Sequence, residues 1–172
     1  MDILETTINP QILVLILLAN FLIYVGGVWI KFGVQKSISD SYYSWKSPWG
    51  ILFTFFCWIL AFPMVMMVEN FPENYQFLQF FAGAGYGFVG AASMIKQLNV
   101  RKVHYPAAII AMSGGLLAIA LSWGGWYIVT AVLGTAIAGW IGFFTKGKDR
   151  VWWAELVVFA ATIGAYFARF FF

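Results

Sequence analysis

Charge is what this chain has least of. Of its 172 residues only 10% are Asp, Glu, Lys or Arg, and 62% are hydrophobic, where a soluble globular domain carries roughly 25% charged residues. A water-soluble protein this small could not hide so much apolar surface, so the alternative solvent is lipid. Cysteine is nearly absent too. Cys57 stands alone, which excludes an intramolecular disulfide and any Cys-rich metal motif. Histidine occurs once, at His104. There is no H-E-x-x-H pair, no Ser-His-Asp set, no P-loop and no dinucleotide fingerprint. No catalytic residue, metal or cofactor is therefore assigned, and the balance disfavours an enzyme. Long polar segments are missing as well. The longest, about Gly33 to Ser47, is too short for a domain, so residues 1–172 are expected to form a single integral membrane domain.

The charges that are present are ordered. Nine of the ten basic residues fall in three short gaps between apolar runs. Lys31, Lys36 and Lys46 occupy the first gap, Lys96, Arg101 and Lys102 the third, and Lys146, Lys148 and Arg150 the fifth. The intervening gaps hold no basic residue. That alternation is how a chain threaded repeatedly through a bilayer looks, with Lys and Arg retained on the cytoplasmic side. A pI near 9.0 does not indicate nucleic acid here, because the positive charge is spread over loops rather than gathered in one stripe. Anionic lipid headgroups on the cytoplasmic face are the better-matched partners.

A spanning helix needs about 20 apolar residues, and the pattern predicts six spans, at approximately 10–30, 48–68, 76–95, 105–121, 126–144 and 151–170. Pro10 and Pro48 open the first two, at a position that a helix start tolerates. Pro63 is expected to kink the second. Spans four and five run together except at Ser122-Trp123-Gly124-Gly125. A single helix of that length would reach about 60 Å, twice the hydrocarbon thickness, and basic gaps flank it on both sides, so the Gly pair is read as a tight hairpin. Six crossings with the basic gaps inside place both termini outside (N-out/C-out). The acidic start, with Asp2 and Glu5, carries no basic n-region, so the first span is expected to be retained.

The fold class that follows is an all-α, six-transmembrane-helix bundle. Close backbone approach drives helices together in lipid, and small residues at four-residue spacing supply it. Gly83, Gly87 and Ala91 form one stripe, and Ala107, Ala111 and Gly115 another. Gly134, Ala138 and Gly142, with Ala131, Thr135 and Gly139 beside them, and Ala160, Gly164 and Ala168 complete the set. These predict a tight cluster of spans three to six, with the bulkier spans one and two more peripheral or providing walls of a cavity or a dimer surface. Trp and Tyr residues at the span ends suit the headgroup level.

Ionisable and polar residues inside spans are the best functional pointers. Asn20 and Tyr24 share one face of span one, and Glu155 lies one turn into span six near the cytoplasmic surface; together they are a candidate polar cavity. Lys31, Lys96 or Lys148 are the candidate partners of Glu155. Arg169, the basic residue that topology leaves unexplained, is read as snorkelling to outer headgroups or pairing with Glu69 or Glu73. Ser93, Ser113, Thr130, Thr135 and Thr162 are expected to bond within their own helices. The most distinctive polar run is Ser37-Ile38-Ser39-Asp40-Ser41-Tyr42-Tyr43-Ser44. It predicts a turn and a short interfacial helix capped by Ser39 or Asp40. With Arg101, Lys102 and His104 it forms a candidate cytoplasmic face for a headgroup or ligand, carried by Ser37, Ser39, Asp40, Tyr42 and Tyr43.

The run from Ser37 to Tyr43 after a first span, followed by an aromatic-rich second span, resembles small uncharacterised bacterial polytopic membrane proteins with a SIS-x-x-YY segment. The resemblance covers spans one and two and implies a multi-pass protein of the bacterial inner (cytoplasmic) membrane, with no established activity. The membrane hydrolase superfamily of ceramidases and adiponectin-receptor-like proteins does not fit, since its zinc site needs three histidines. The leading expectation is a non-enzymatic, lipid- or protein-binding helical module, with itself or another membrane protein as a further partner. A small transporter or channel for a neutral or lipid-like solute is the second.

Overall fold

The computed structural model describes residues 8–45, 49–94 and 100–172, with the side chains of Val100 and Arg101 outside it. Expectations resting on Asp2, Glu5, Lys46, Pro48, Lys96 and the Arg101 side chain lie outside the described residues. Within them the chain is all helical. Seven α-helices follow one another: α1 (Pro10–Phe32), α2 (Ser41–Ser44), α3 (Ile51–Met66), α4 (Glu73–Met94), α5 (Val100–Trp123), α6 (Gly125–Phe144) and α7 (Arg150–Phe171). One 3-10 turn, Val68–Asn70, follows α3.

Local chemistry sets the boundaries. Asn9 caps α1 by accepting the Gln11 N–H, and Pro10 takes a first-turn position where no N–H is missed. Pro63 sits inside α3 one turn before its end, and α5 begins at Val100 rather than Tyr105, so that Pro106 falls inside it. α5 and α6 are separated at Gly124, which has φ +65°, followed by Gly125 at +44°. That left-handed region strains any residue with a Cβ, and a two-glycine reversal is what folds the long apolar stretch back on itself.

The six long helices alternate in direction. At one end of the α1/α7 pair, Gln11 Nε2 donates to the Phe170 carbonyl at 2.8 Å, and at the other Trp29 meets Trp153 edge-on at 6.0 Å. Gly83 faces Ala61 and Val65 of α3, while Gly90 faces Cys57 and Thr54. Gly85 lies on Ala107 and Ala111, and Gly114 on Leu78. Gly134 meets Ala161, and Gly142 meets Ala154. Lys31, Lys36, Lys102, Lys146, Lys148 and Arg150 consequently collect at one end of the bundle, hereafter the basic end. Glu69, Glu73 and Arg169 lie at the other.

Four helical stretches are long and apolar enough to cross a membrane: Pro10–Phe32, Lys102–Trp123, Gly125–Phe144 and Arg150–Phe171. Large apolar side chains are exposed on them, Ile23, Ile30, Ile109 and Phe143 among others. A surface of that kind suits lipid and not water, and the chain is compatible with a membrane protein. α3 is shorter, and α4 carries Glu73, Asn74, Gln76 and Gln79.

The packing corrects the expected division into an inner cluster of spans three to six and outer spans one and two. α3 is central. It buries Phe53, Phe56, Cys57, Leu60 and Met64. α6 is the outlying helix: 17% of its most apolar stretch is buried, against 39% for α5 and for α7. The reason is complementarity. Glycines on α4 leave a groove that the backbone and the smaller side chains of α3 enter; a Cβ at Gly83 would stand 2.7 Å from Val65 Cγ2 and 3.1 Å from the Ala61 carbonyl, and one at Gly90 2.8 Å from Cys57 Cβ. One face of α3 thus lies close against the α4 glycines, while Phe53 and Phe56 on another pack on Tyr24 of α1 and, for Phe56, on Phe159 of α7. The stripe Ala160, Gly164, Ala168 is corrected as well, since it faces outward and Gly164 has nothing within 4 Å of where a Cβ would be.

Several buried polar groups are satisfied between helices, while Trp45 Nε1, Ser122 Oγ and Trp152 Nε1 are buried without a protein partner. Thr54 Oγ1 donates to the Gly90 carbonyl at 3.1 Å. Gln79 Nε2 donates to the Met64 carbonyl at 2.8 Å, and Tyr166 OH donates to Gln79 Oε1 at 2.7 Å, tying α3, α4 and α7 together. Ser93, Ser113, Thr130, Thr135 and Thr162 each donate to the carbonyl four residues earlier in their own helix.

Candidate functional site

The segment between α1 and α2 folds back over the start of α7. Two bonds fasten it there. The Trp152 N–H donates to the Lys36 carbonyl at 3.1 Å, and the Ile38 N–H donates to Glu155 Oε2 at 2.6 Å. Trp152 is in the first turn of α7, where backbone N–H groups lack helical partners, so a loop carbonyl satisfies an orphan donor. Glu155 satisfies the return donor one turn later. Between them the Ile38 side chain is buried and pins the loop through apolar contact.

The serines organise the loop itself. Ser37 Oγ accepts the Asp40 N–H at 3.1 Å and shares a hydrogen bond with Ser39 Oγ at 2.9 Å. Asp40 precedes α2 but makes no side-chain cap. The expected cap by Ser39 or Asp40 is thereby corrected: Ser37, three residues upstream, holds the turn. Ser41 donates to the Ile38 carbonyl at 2.5 Å and bonds Tyr24 OH at 2.7 Å, and Ser44 donates to Gln35 Oε1 at 2.6 Å. Lys31 Nζ lies 4.4 Å from the Trp45 ring centroid, a cation–π contact in place of the considered pair with Glu155.

Beside this loop a cavity of about 1110 Å³ opens at the basic end, between α4 and α5 on one side and α6 and α7 on the other. Its polar lining comprises Lys36, Asp40, His104, Lys148, Arg150 and Glu155, joined by Ser37, Ser39, Tyr43 and Ser93. Toward the middle of the bundle the walls become apolar, with Met112, Ala138 and Val158. A ligand there meets charge at one end and hydrocarbon at the other.

The candidate residues therefore divide differently from expectation. Glu155, Ser37, Ser39, Asp40, Tyr43 and His104 come together on one cavity. Asn20 and Tyr24 do not join Glu155: Asn20 Nδ2 donates to the Phe56 carbonyl at 3.0 Å, and the Tyr24 ring stacks on Phe56 at 4.4 Å while its hydroxyl meets Ser41. Both are bound to neighbouring elements and line no cavity with Glu155. Tyr42 packs edge-on against Tyr43 and over Gly50 rather than into the cavity, and Lys102 is exposed outside it. Arg169 sits 5.8 Å from the Trp123 ring and not against Glu69 or Glu73, which are exposed at the same end. Lys148, a considered partner of Glu155, and Lys36, which adjoins the polar run, line the same cavity, and Arg150 joins them although its sequence signal was topological only. Gln79 and Tyr166 went unnoticed; a glutamine in the middle of an apolar run was the available sign.

Among the described residues, no group of three or more His, Cys, Asp or Glu is placed to hold a metal ion. Comparison of the chain with protein-family models, with curated proteins and with solved structures finds no match. The chemistry of the site rests on its own geometry, with charged side chains at the basic end and apolar walls toward the middle of the bundle.

Proposed function

We propose that this chain is a six-span protein of the bacterial cytoplasmic membrane, both termini outside, that binds membrane lipid in the basic-end cavity. The observation that carries the reading is the cavity's polarity, with Lys36, Lys148 and Arg150 at its charged end and Met112, Ala138 and Val158 on its apolar walls. A phospholipid has the matching order of groups. Arg and Lys near the membrane surface attract headgroup phosphate.

Six crossings are supported by the alternating helix directions and by the collection of cations at one end. α3 and α4 fall short of the length or apolarity of the other four, and they are also the helices whose packing faces are filled by neighbours. α4 can carry Gln79 at low cost because that side chain is buried between helices with its amide bonded.

Binding is favoured over transport because Asn20 and Tyr24 are occupied by other partners, so no polar path runs on from Glu155 toward them. Two measurements test these readings. Single-cysteine labelling on a Cys57→Ser background is expected to modify a cysteine at Ser39 from the cytoplasm and one at the exposed Glu73 position from outside; the reverse pattern overturns the orientation. Native mass spectrometry of the purified protein is expected to retain bound phospholipid, and Lys148→Gln with Arg150→Gln to lose it. A protein that flies lipid-free under mild conditions removes the lipid reading.

A further inference from the structure

The cavity lining is mixed, not purely basic. Asp40 and Glu155 stand on it with Lys36, Lys148 and Arg150. A site built for an anion alone gains nothing from two carboxylates, since each repels the phosphate that the cations attract. Glu155 lies one turn inside α7, about 7 Å along the helix from Arg150, and a carboxylate taken from water is costly unless a counter-charge and hydrogen-bond donors meet it. Among the described residues its hydrogen bond is the Ile38 N–H on Oε2. That bond leaves Oε1 for a donor in the cavity.

We infer that the cavity takes a primary-amine phosphate ester, the headgroup chemistry of an ethanolamine phospholipid. The ammonium is received by Glu155 and Asp40, and the phosphate by Lys36, Lys148 and Arg150. This rests on the lipid-binding reading above and adds the headgroup. A primary ammonium brings a full charge and three N–H donors to a carboxylate. A choline headgroup brings the charge without donors, and a glycerol headgroup brings neutral O–H donors without the charge. The same chemistry could arrive as soluble phosphoethanolamine, though the apolar walls of Met112, Ala138 and Val158 favour the lipid.

The test is native mass spectrometry of the full chain, titrated with dioleoyl phosphatidylethanolamine, phosphatidylcholine and phosphatidylglycerol, with soluble phosphoethanolamine as competitor. The expected preference for ethanolamine over glycerol headgroups is about tenfold, the scale of one hydrogen bond to a charged group. Glu155→Gln keeps an oxygen to accept the Ile38 N–H and so preserves the loop, yet removes the charge; the preference should fall to about parity while glycerol lipid still binds. Asp40→Asn, on the loop outside the helices, should lower the same ratio by a smaller factor and serves if the first variant does not fold. Equal retention of ethanolamine and glycerol lipids by the unaltered protein overturns the headgroup inference and leaves lipid binding standing. Retention of no lipid overturns both. Displacement by soluble phosphoethanolamine identifies the free ester as a sufficient ligand, and failure to displace identifies the lipid as the source; both outcomes support the amine-phosphate chemistry when the tenfold preference is present.

Discussion

The two ends of this bundle solve the same problem in opposite ways. At the end holding Trp123 the connections are short: the 3-10 turn after α3 and the Gly124 reversal bring the helices almost directly together. Aromatic rings fill what space is left. Phe71 stacks on Trp123 at 5.0 Å, and Tyr127, Tyr166 and Phe170 meet Trp123 edge-on between 5.2 and 5.8 Å. At the basic end a long, polar segment must be accommodated. Its backbone groups need partners, and serines, Glu155 and the first turn of α7 provide them. A loop held by hydrogen bonds cannot fill space as rings do, and the cavity is what remains. The difference teaches that stability and binding are divided by end: the ring cluster closes the bundle, and the loop opens it.

The largest effect expected from that division is at the closed end. Trp123→Ala removes the part-buried ring on which four others converge, with an expected cost of about 3 kcal/mol, the low end of the range for Trp→Ala changes. Thermal unfolding in detergent should show a clearly lowered midpoint. The two ends are separated by the length of α5, about 36 Å, so changes there should be independent. The ethanolamine-to-glycerol lipid ratio is therefore expected to hold in this variant at temperatures where it remains folded. A variant that loses the ratio while still folded would show that the ends are coupled and would break the comparison.

How much of this division was legible depends on the range of the interaction. Helix positions were legible because hydrophobic runs and prolines are local signals, and the Gly124–Gly125 reversal follows from chain length and charge alone. The central place of α3 was not, because it depends on Val65 and Cys57 meeting glycines that are distant in sequence. Small-residue stripes show that a helix can be approached closely. They do not show by which helix, nor, for Ala160, Gly164 and Ala168, whether it is approached at all. At the site, the segment from Ser37 to Tyr43 was legible as polar chemistry in an otherwise apolar chain. The Ile38–Glu155 bond, spanning 117 residues, was not. Grouping Asn20 with Glu155 failed on depth as well as direction: Asn20 is near the middle of α1, while Glu155 is one turn from the end of α7.

A second, smaller test separates packing glycines from idle ones and so sharpens what holds the ends apart. A Cβ at Gly85 would stand 2.8 Å from the Ala111 nitrogen, a backbone atom that cannot move without shifting α5. Gly85→Ala is expected to destabilise the bundle by about 2 kcal/mol, as overpacking does. Gly26, in α1, has nothing within 4 Å of the same position. Gly26→Ala should be neutral or stabilise by up to about 1 kcal/mol through helix propensity. Parallel unfolding curves check the pair. If both variants behave alike, close backbone approach is not what joins α4 to α5.

The smallest expected effect concerns the cation at the closed end. Arg169 is exposed and lies 5.8 Å from the Trp123 ring, and such a contact contributes about 0.5 to 1 kcal/mol at an exposed site. Arg169→Gln alone does not separate this from an interaction with headgroups or with the exposed carboxylates of Glu69 and Glu73. A double-mutant cycle does. Coupling of about 0.5 kcal/mol between Arg169→Gln and Trp123→Phe, with none between Arg169→Gln and Glu69→Gln or Glu73→Gln, is the result that the geometry predicts. Phe keeps a ring in the cluster but a weaker face for the cation, so the cycle reads the contact rather than the loss of packing. Coupling to a carboxylate instead would mean that charge pairing, and not ring packing alone, closes that end, and the contrast with the loop-held basic end would narrow accordingly.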